Sequence, residues 1–326
     1  LALFRGNFFS SFAWYETVVR AALPEGVAAE FVVVEDDGAV AAIFPMQRRG
    51  AVLSGLTTPY TCLWQALWAA DADNSAVGLG FTALCRARPV RLDALDLAAP
   101  GWTGFLGGLR RGGVRALPFD HFGNWIFPTA GAGWEAYLAG RPGALREAVR
   151  RRTRKLRQAG ADFRVLDGVN GLEDGVASYE AMHAKSWKSA EPFPDFNAAL
   201  MRRCAEDGTL RLGVLSLDGR VLAAQFWVVF GDAAMMLKIA HDAAADAWSP
   251  GTVLTGLMIR HVMARDGVRC LDFGRGDDAY KALWMSERRQ RSGLMLVNPW
   301  RAQGGWELSR RVAVDVVKAG RRWWTR

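Results

Sequence analysis

The stretch from Trp248 to Lys281 constrains this chain more than any other. It reads as the end of a strand, the turn Ser249-Pro250-Gly251-Thr252, a long apolar helix, a short strand, and then Gly274-Arg275-Gly276-Asp277-Asp278-Ala279-Tyr280-Lys281. Ser249 suits a helix N-cap, and Pro250 falls where the missing N–H has no helical partner to lose. Gly251 leaves the backbone open, so the N–H groups of Gly251, Thr252 and Val253 are placed to face an anion at the positive end of the helix. An ordinary capped helix start reads the same way. Strand, turn, helix and strand together make a βαβ unit, which suits a ligand carrying phosphates, acyl-coenzyme A among them.

The second half of the chain resolves into a clear order. Ala161–Leu166 reads as a strand, Leu172–Trp187 as a helix with Val176, Tyr179, Met182, His183 and Trp187 on one side, and Asp195–Cys204 as a second helix. Three strands follow, Leu210–Leu217, Arg220–Phe230 and Ala234–Ala240, the first two joined by the hairpin turn Asp218-Gly219. The helix Pro250–Arg265 carries Leu254, Leu257, Met258 and His261 along one stripe and stops before Gly267. Val268–Phe273 is a strand, Asp277–Ser286 a short helix and Gly293–Val297 a last strand. The first half echoes this order. A helix over Phe8–Ala22 precedes strands at Phe31–Val34 and Ala39–Phe44 around Asp36-Asp37-Gly38, then a strand at Val90-Arg91-Leu92, a helix at Thr103–Leu109 and a closing strand at Val114–Leu117. In place of Ser-Pro-Gly-Thr it offers Asp73-Asn74-Ser75-Ala76-Val77, without the proline. The Gly- and Pro-rich segment Pro128–Gly143 marks the boundary, giving domains over 1–135 and 136–326.

Half of the 326 residues are hydrophobic, enough for a sizeable core. Cys62, Cys85, Cys204 and Cys270 lie far apart, with no CxxC and no nearby His pair, so reduced thiols are expected and neither a disulfide framework nor a zinc site is. No window reaches the roughly 18–20 apolar residues of a membrane span. The start of the chain lacks a signal-peptide pattern, and a cytoplasmic location is expected. The net charge of +8 favours an anionic partner: a cofactor phosphate, a nucleic acid or a lipid surface.

These elements in this order resemble the GNAT acyltransferase fold, and more narrowly the tandem-GNAT group. That group includes the Fem peptidoglycan aminoacyltransferases and the CelD-like acetyltransferases linked to bacterial cellulose biosynthesis. The matching residues are Phe8-Phe9-Ser10-Ser11-Phe12-Ala13-Trp14, the basic helix Arg146–Arg157, His183-Ala184-Lys185-Ser186-Trp187, Ser249-Pro250-Gly251-Thr252-Val253-Leu254, and Asp272 to Lys281. Together they cover nearly the whole chain. The resemblance implies an α/β (α+β) fold of two tandem GNAT-like domains, each a mixed, mostly antiparallel sheet flanked by helices, the first domain a degenerate copy. The chain departs from the pattern where GNAT turns begin with Gln or Arg and close with a small residue, for Trp248 and Val253 stand there.

The activity so implied is an acyl-CoA-dependent N-acyltransferase acting on a cell-envelope or polysaccharide precursor. Its co-substrate is acetyl-CoA or another acyl-CoA, its acceptor an amine-bearing small molecule or glycan, and no metal is needed. Asp272 would accept the amine proton and Tyr280 protonate the leaving thiolate. Otherwise Asp272 is a solvated strand-end carboxylate and Tyr280 a packed aromatic. Ser249, Gly251, Thr252, Val253 and Lys281 would hold the donor, Lys281 reading equally as a solvated lysine. His183, Trp187 and Lys238 would line the acceptor groove, with His183 reading also as a satisfied core-edge histidine. Two alternatives stay open: an aminoacyl-tRNA-dependent transferase of Fem type, and a non-catalytic GNAT-fold subunit of a polysaccharide synthase. Nucleic acid is not the expected partner, tRNA being the runner-up. The basic C-terminal helix, Gly305–Arg326, would rest on its own domain or on an anionic membrane surface.

Overall fold

Two hairpin turns legible in the sequence set much of the strand pairing. Asp37 and Gly38 take φ values of 48° and 77°, and Asp218 and Gly219 take 50° and 74°. Positive φ at both central residues is the two-residue turn whose twist matches that of the flanking strands. The computed structural model describes residues 6–86, 88–186 and 190–300. In chain order these form α1 (Phe12–Ala21), β1 (Val27–Asp36), β2 (Ala39–Arg49), β3 (Val52–Gly55), β4 (Leu67–Trp68), α2 (Asn74–Phe81), β5 (Val90–Leu95), α3 (Trp102–Arg111) and β6 (Arg115–Pro128). The chain continues with α4 (Trp134–Ala139), α5 (Gly143–Gln158), β7 (Asp162–Leu166), α6 (Leu172–Lys185), α7 (Phe196–Glu206), β8 (Leu210–Leu217), β9 (Arg220–Phe230) and β10 (Ala233–His241). It ends in α8 (Pro250–Arg265), β11 (Cys270–Arg275), α9 (Lys281–Trp284) and β12 (Glu287–Val297).

By their contacts these elements divide into two units. The first gathers the described parts of residues 1–10, 23–122 and 290–326, and the second holds 11–22 and 123–289. In the first unit the strand order is β1-β2-β3-β5-β12-β6, with β3 parallel to β5 and α2 as their crossover. In the second it is β6-β11-β10-β9-β8-β7, with β10 parallel to β11 and α8 as the crossover. The remaining pairings whose registers are resolved are antiparallel. In both units the parallel pair borders a strand from the other half of the sequence: β12 lies against β5, and the end of β6 against β11. The fold is thus mixed α/β with mostly antiparallel pairing, as the resemblance implies.

Several elements run differently from expectation, each for a visible reason. The first helix is two pieces, a 3₁₀ turn at Phe8–Ser10 and then α1, because Ser11 caps the latter by accepting a hydrogen bond from Trp14 N at 3.2 Å. α1 packs on α7, with the Trp14 and Phe196 rings edge to face at 5.6 Å. The closing strand of the first half runs on through Pro118 to Pro128, although a proline reads as a strand stop. β12 starts at Glu287, six residues before the expected Gly293, because its charged opening Glu287-Arg288-Arg289-Gln290 is exposed and carries no apolar pattern. The helix expected over Asp277–Ser286 is only the single turn α9.

α8 matches its expected bounds, but its buried residues exceed one stripe. Val253, Leu254, Thr255, Met258, Ile259 and Val262 are all buried, since β8, β9 and β10 cover one side and α4 and α5 the other. Each fully buried aliphatic side chain there contributes about 1.5–3 kcal/mol, so the crossover is anchored far more firmly than its cap alone would allow. No helix among the described residues is long and apolar enough to cross a membrane. The basic segment 305–326 lies outside the described residues.

Candidate functional site

The parallel pair of the second unit opens into a fork. β10 and β11 pair only from Ala233–Met235 to Cys270–Asp272, after which β10 continues to His241 and β11 to Arg275 with no pairing between them. A bulge helps part them. The register of β10 against β9 shifts between Met236 and Lys238, leaving Leu237 unpaired, and such a bulge re-aims the side chains beside it. α8 begins beside the open end, since His241, the last residue of β10, lies against Gly251. In open α/β arrangements, the crevice beyond the carboxyl ends of parallel strands is where ligands bind.

The first turn of α8 is held by a buried polar chain. Gln225 of β9 donates to Thr255 Oγ1 at 2.8 Å and accepts from Trp227 Nε1 at 2.8 Å, while the Thr255 hydroxyl donates to the Gly251 carbonyl at 2.8 Å. Ser249 occupies the N-cap in the left-handed region, φ 51° and ψ 52°, and its side chain makes no capping bond. The cap read from the sequence is therefore positional only. Val253 N donates to the Ser249 carbonyl at 3.1 Å, which leaves Gly251 and Thr252 as the N–H groups at the very start of the helix. Gly251 has a packing role as well: a Cβ there would meet His241 Nδ1 at 3.1 Å.

Asp272 sits at the base of the fork, at the last paired position. Its Oδ1 accepts from Asn124 Nδ2 and from Gly274 N, both at 2.6 Å. Asn124 is fully buried on β6 and also donates to the Gly274 carbonyl at 3.1 Å. Sequence reading missed it: the two residues are 148 positions apart and no local pattern links them. Tyr280 immediately precedes α9, its ring 6.3 Å from Phe273, and burial raises its phenol well above the usual value. Lys281 is only 4% exposed, and its ammonium reaches the Arg275 carbonyl at 2.6 Å, the Gly276 carbonyl at 3.4 Å and Asp278 Oδ2 at 3.3 Å. Its three protons thus face acceptors of its own loop. Asp277 fixes the same loop. Arg288 grips it bidentately, at 2.6 and 2.8 Å, and holds its carboxyl below the usual range.

His183 and Lys238 come together through a residue that sequence reading did not single out. Glu191 Oε1 lies 2.6 Å from Lys238 Nζ and 3.3 Å from His183 Nε2, and all three side chains are mostly buried. α6, the segment after it and the bulged strand β10 each supply one member. Trp187 lies outside the described residues. Among the described residues no group of three or more His, Cys, Asp or Glu side chains is placed to hold a metal ion.

Residues 143–282 match the family model described as an acetyltransferase (GNAT) domain. This span runs from the start of α5 to α9 and contains the fork, the α8 turn and Asp272 to Lys281. No curated protein matches the chain. Among solved structures, the chain is similar in fold to FemX, at 14% identity over 90% of this chain and 93% of that one, with a TM-score of 0.62. It is also similar to a conserved protein of unknown function from Bacteroides thetaiotaomicron (12% identity, 90% and 91% covered, TM-score 0.57). L-PGS from Bacillus licheniformis gives 12% identity, 91% and 90% covered, and a TM-score of 0.53. The fold and the matched domain place the second unit among GNAT folds.

Proposed function

We propose that the chain is an acyl-CoA-dependent N-acyltransferase whose acceptor is an amine on a cell-envelope or polysaccharide precursor, working where acyl-CoA is found, in the cytoplasm. The observation that carries this reading is the β10/β11 fork with the start of α8 at its open end, inside the matched GNAT span. The N–H groups of Gly251 and Thr252, with Ser249 and Val253 shaping the turn, would hold donor phosphates at the positive helix end. Lys281 would act from behind, fixing the loop through the Arg275 and Gly276 carbonyls. A bound acyl-CoA supplies an activated thioester. Asp272, oriented by Asn124, would take the proton of the acceptor ammonium, and Tyr280 would give a proton to the departing sulfur. Glu191, Lys238 and His183 would anchor the polar end of the acceptor. Residues 1–135 would be a degenerate copy, and 136–326 the catalytic domain.

Calorimetric titration with acetyl-CoA tests the donor. Gly251→Val should abolish binding by blocking backbone approach, but the new side chain would also press on His241. The informative variant is Gly251→Val with His241→Ala, which frees that space. Binding by His241→Ala alone and none by the double variant is the expected result. Undiminished affinity in the double variant would remove the assignment, and no binding by the unaltered chain would favour the non-catalytic subunit.

A second reading, a Fem-type transferase using aminoacyl-tRNA, is supported by the fold similarity to FemX and by the net charge of +8. It predicts that aminoacyl-tRNA, and not acetyl-CoA, labels an amine acceptor in a single-turnover assay.

A further inference from the structure

Away from the fork, on the outer side of α8, a groove of about 310 Å³ opens between α4, α5 and α8. Arg150, Arg154 and Arg157 line one wall and Arg260 the other. The three on α5 are spaced four and three residues apart, so they project from one helix face. Like charges at this spacing repel and weaken a helix. The one acid in the lining, Glu135, lies 3.9 Å from Arg150 and is largely exposed. Among the described residues, the side chains of Arg154, Arg157 and Arg260 have no ion pair or hydrogen bond. Several arginines elsewhere in the same unit are paired: Arg202 with Glu173, Arg211 with Asp266 and Arg288 with Asp277. The lining also includes the apolar side chains of Trp134, Leu138, Val149 and Leu257.

We propose that this groove is a second ligand site, one that binds the diphosphate group of a small soluble molecule. Guanidinium groups on facing walls suit a dianion that each can grip in bidentate fashion, and Arg does this better than a point charge does. A concave site of this volume suits a small molecule rather than a flat lipid surface. The Trp134 ring gives the ligand's organic part something to lie on. The site is separate from the turn at Pro250, because ten residues of helix to Arg260 span roughly 15 Å. It therefore stands whether or not the donor assignment does.

The test is calorimetry on the full chain with inorganic pyrophosphate and then ADP, using Arg154→Gln, Arg260→Gln and their combination, with Arg110→Gln in the other unit as control. Pyrophosphate should bind the unaltered chain and the control alike. Each single groove variant should weaken it by about tenfold or more, the gain per charged hydrogen bond that is lost. ADP should bind more tightly than pyrophosphate, and Trp134→Leu should erase that advantage. Acetyl-CoA, which carries a diphosphate of its own, should still bind the double variant, through the turn at Pro250. Vesicles of phosphatidylglycerol and phosphatidylcholine test the lipid source of the same chemistry. Arginine-dependent vesicle binding without pyrophosphate binding would overturn the soluble ligand. Pyrophosphate affinity unchanged in the double variant, or acetyl-CoA binding lost along with it, would overturn the second site.

Discussion

Lys281 shows how a residue's place in a motif and its place in the fold can part. In the sequence it follows Tyr280 and reads as a surface cation, yet it is buried and faces the carbonyls of Arg275 and Gly276. Lys281→Met keeps the bulk and removes the donors, so it should lower unfolding stability by about 1–3 kcal/mol through the carbonyls it leaves unsatisfied; unchanged urea midpoints would refute this. Asp272 allows a sharper test. The amide of Asp272→Asn still offers an oxygen to Asn124 and to Gly274 N, so the variant should fold normally. A purely structural carboxylate would then cost nothing, whereas a proton acceptor costs about 10²–10⁴ in kcat at little cost in donor affinity. Tyr280→Phe should cost less, because water can donate in its place. Burial raises the Tyr280 phenol, so it keeps its proton across the neutral range and past pH 10. The kcat profile should accordingly show no alkaline limb from this group in that range.

At the scale of elements, α2 and α3 of the first unit test how closely helices can be made to pack. A Cβ at Gly108 would lie 2.0 Å from the Ser75 carbonyl oxygen, and one at Gly78 would lie 2.1 Å from that of Phe105. Gly107, on the same helix, would meet only Ser75 Oγ at 3.9 Å. Both Gly107→Ala and Gly108→Ala gain the same helix propensity, about 1 kcal/mol. Gly107→Ala should raise the thermal midpoint, and Gly108→Ala should lower it by forcing two backbones apart; equal midpoints would show that the pair is not packed this way. The elements that sequence alone revealed share a trait: their signals are local. Asp37-Gly38 and Asp218-Gly219 specify turns by themselves, and Pro250 with Gly267 brackets α8. What stayed hidden depends on distant partners. The start of β12 hides in a run of charges, α4 is too short to show a period, and Asn124 and Glu191 matter only through side chains brought to them by folding. The fork itself is invisible in sequence, because it consists of where pairing stops.

For the molecule as a whole, burial of titratable groups fixes how stability responds to alkali. Burial pushes the Cys85 and Cys204 thiols up to about 12 and that of Cys270 to about 11, from an ordinary value of 9.0. The phenols of Tyr15, Tyr137 and Tyr280 are raised in the same direction by the same cause. Above pH 9 the unfolded chain therefore releases thiol protons that the folded chain keeps. The unfolded state then binds fewer protons, and unfolding free energy falls as pH rises. The stability tied to these groups is fully present below pH 9 and is lost progressively toward the folded values. Cys85 and Cys204, one in each unit, should each remove on the order of 1 kcal/mol per pH unit across that window. Urea midpoints measured from pH 8 to 10.5 should decline, and the decline should be shallower in the Cys85→Ala, Cys204→Ala double variant even though that variant starts from lower stability. At pH 8 the same two thiols should resist a disulfide-forming reagent until the chain unfolds, since buried neutral thiols are poor nucleophiles. A double variant with the original slope, or rapid labelling of both cysteines in the folded chain, would show that neither thiol is held protonated in a closed core.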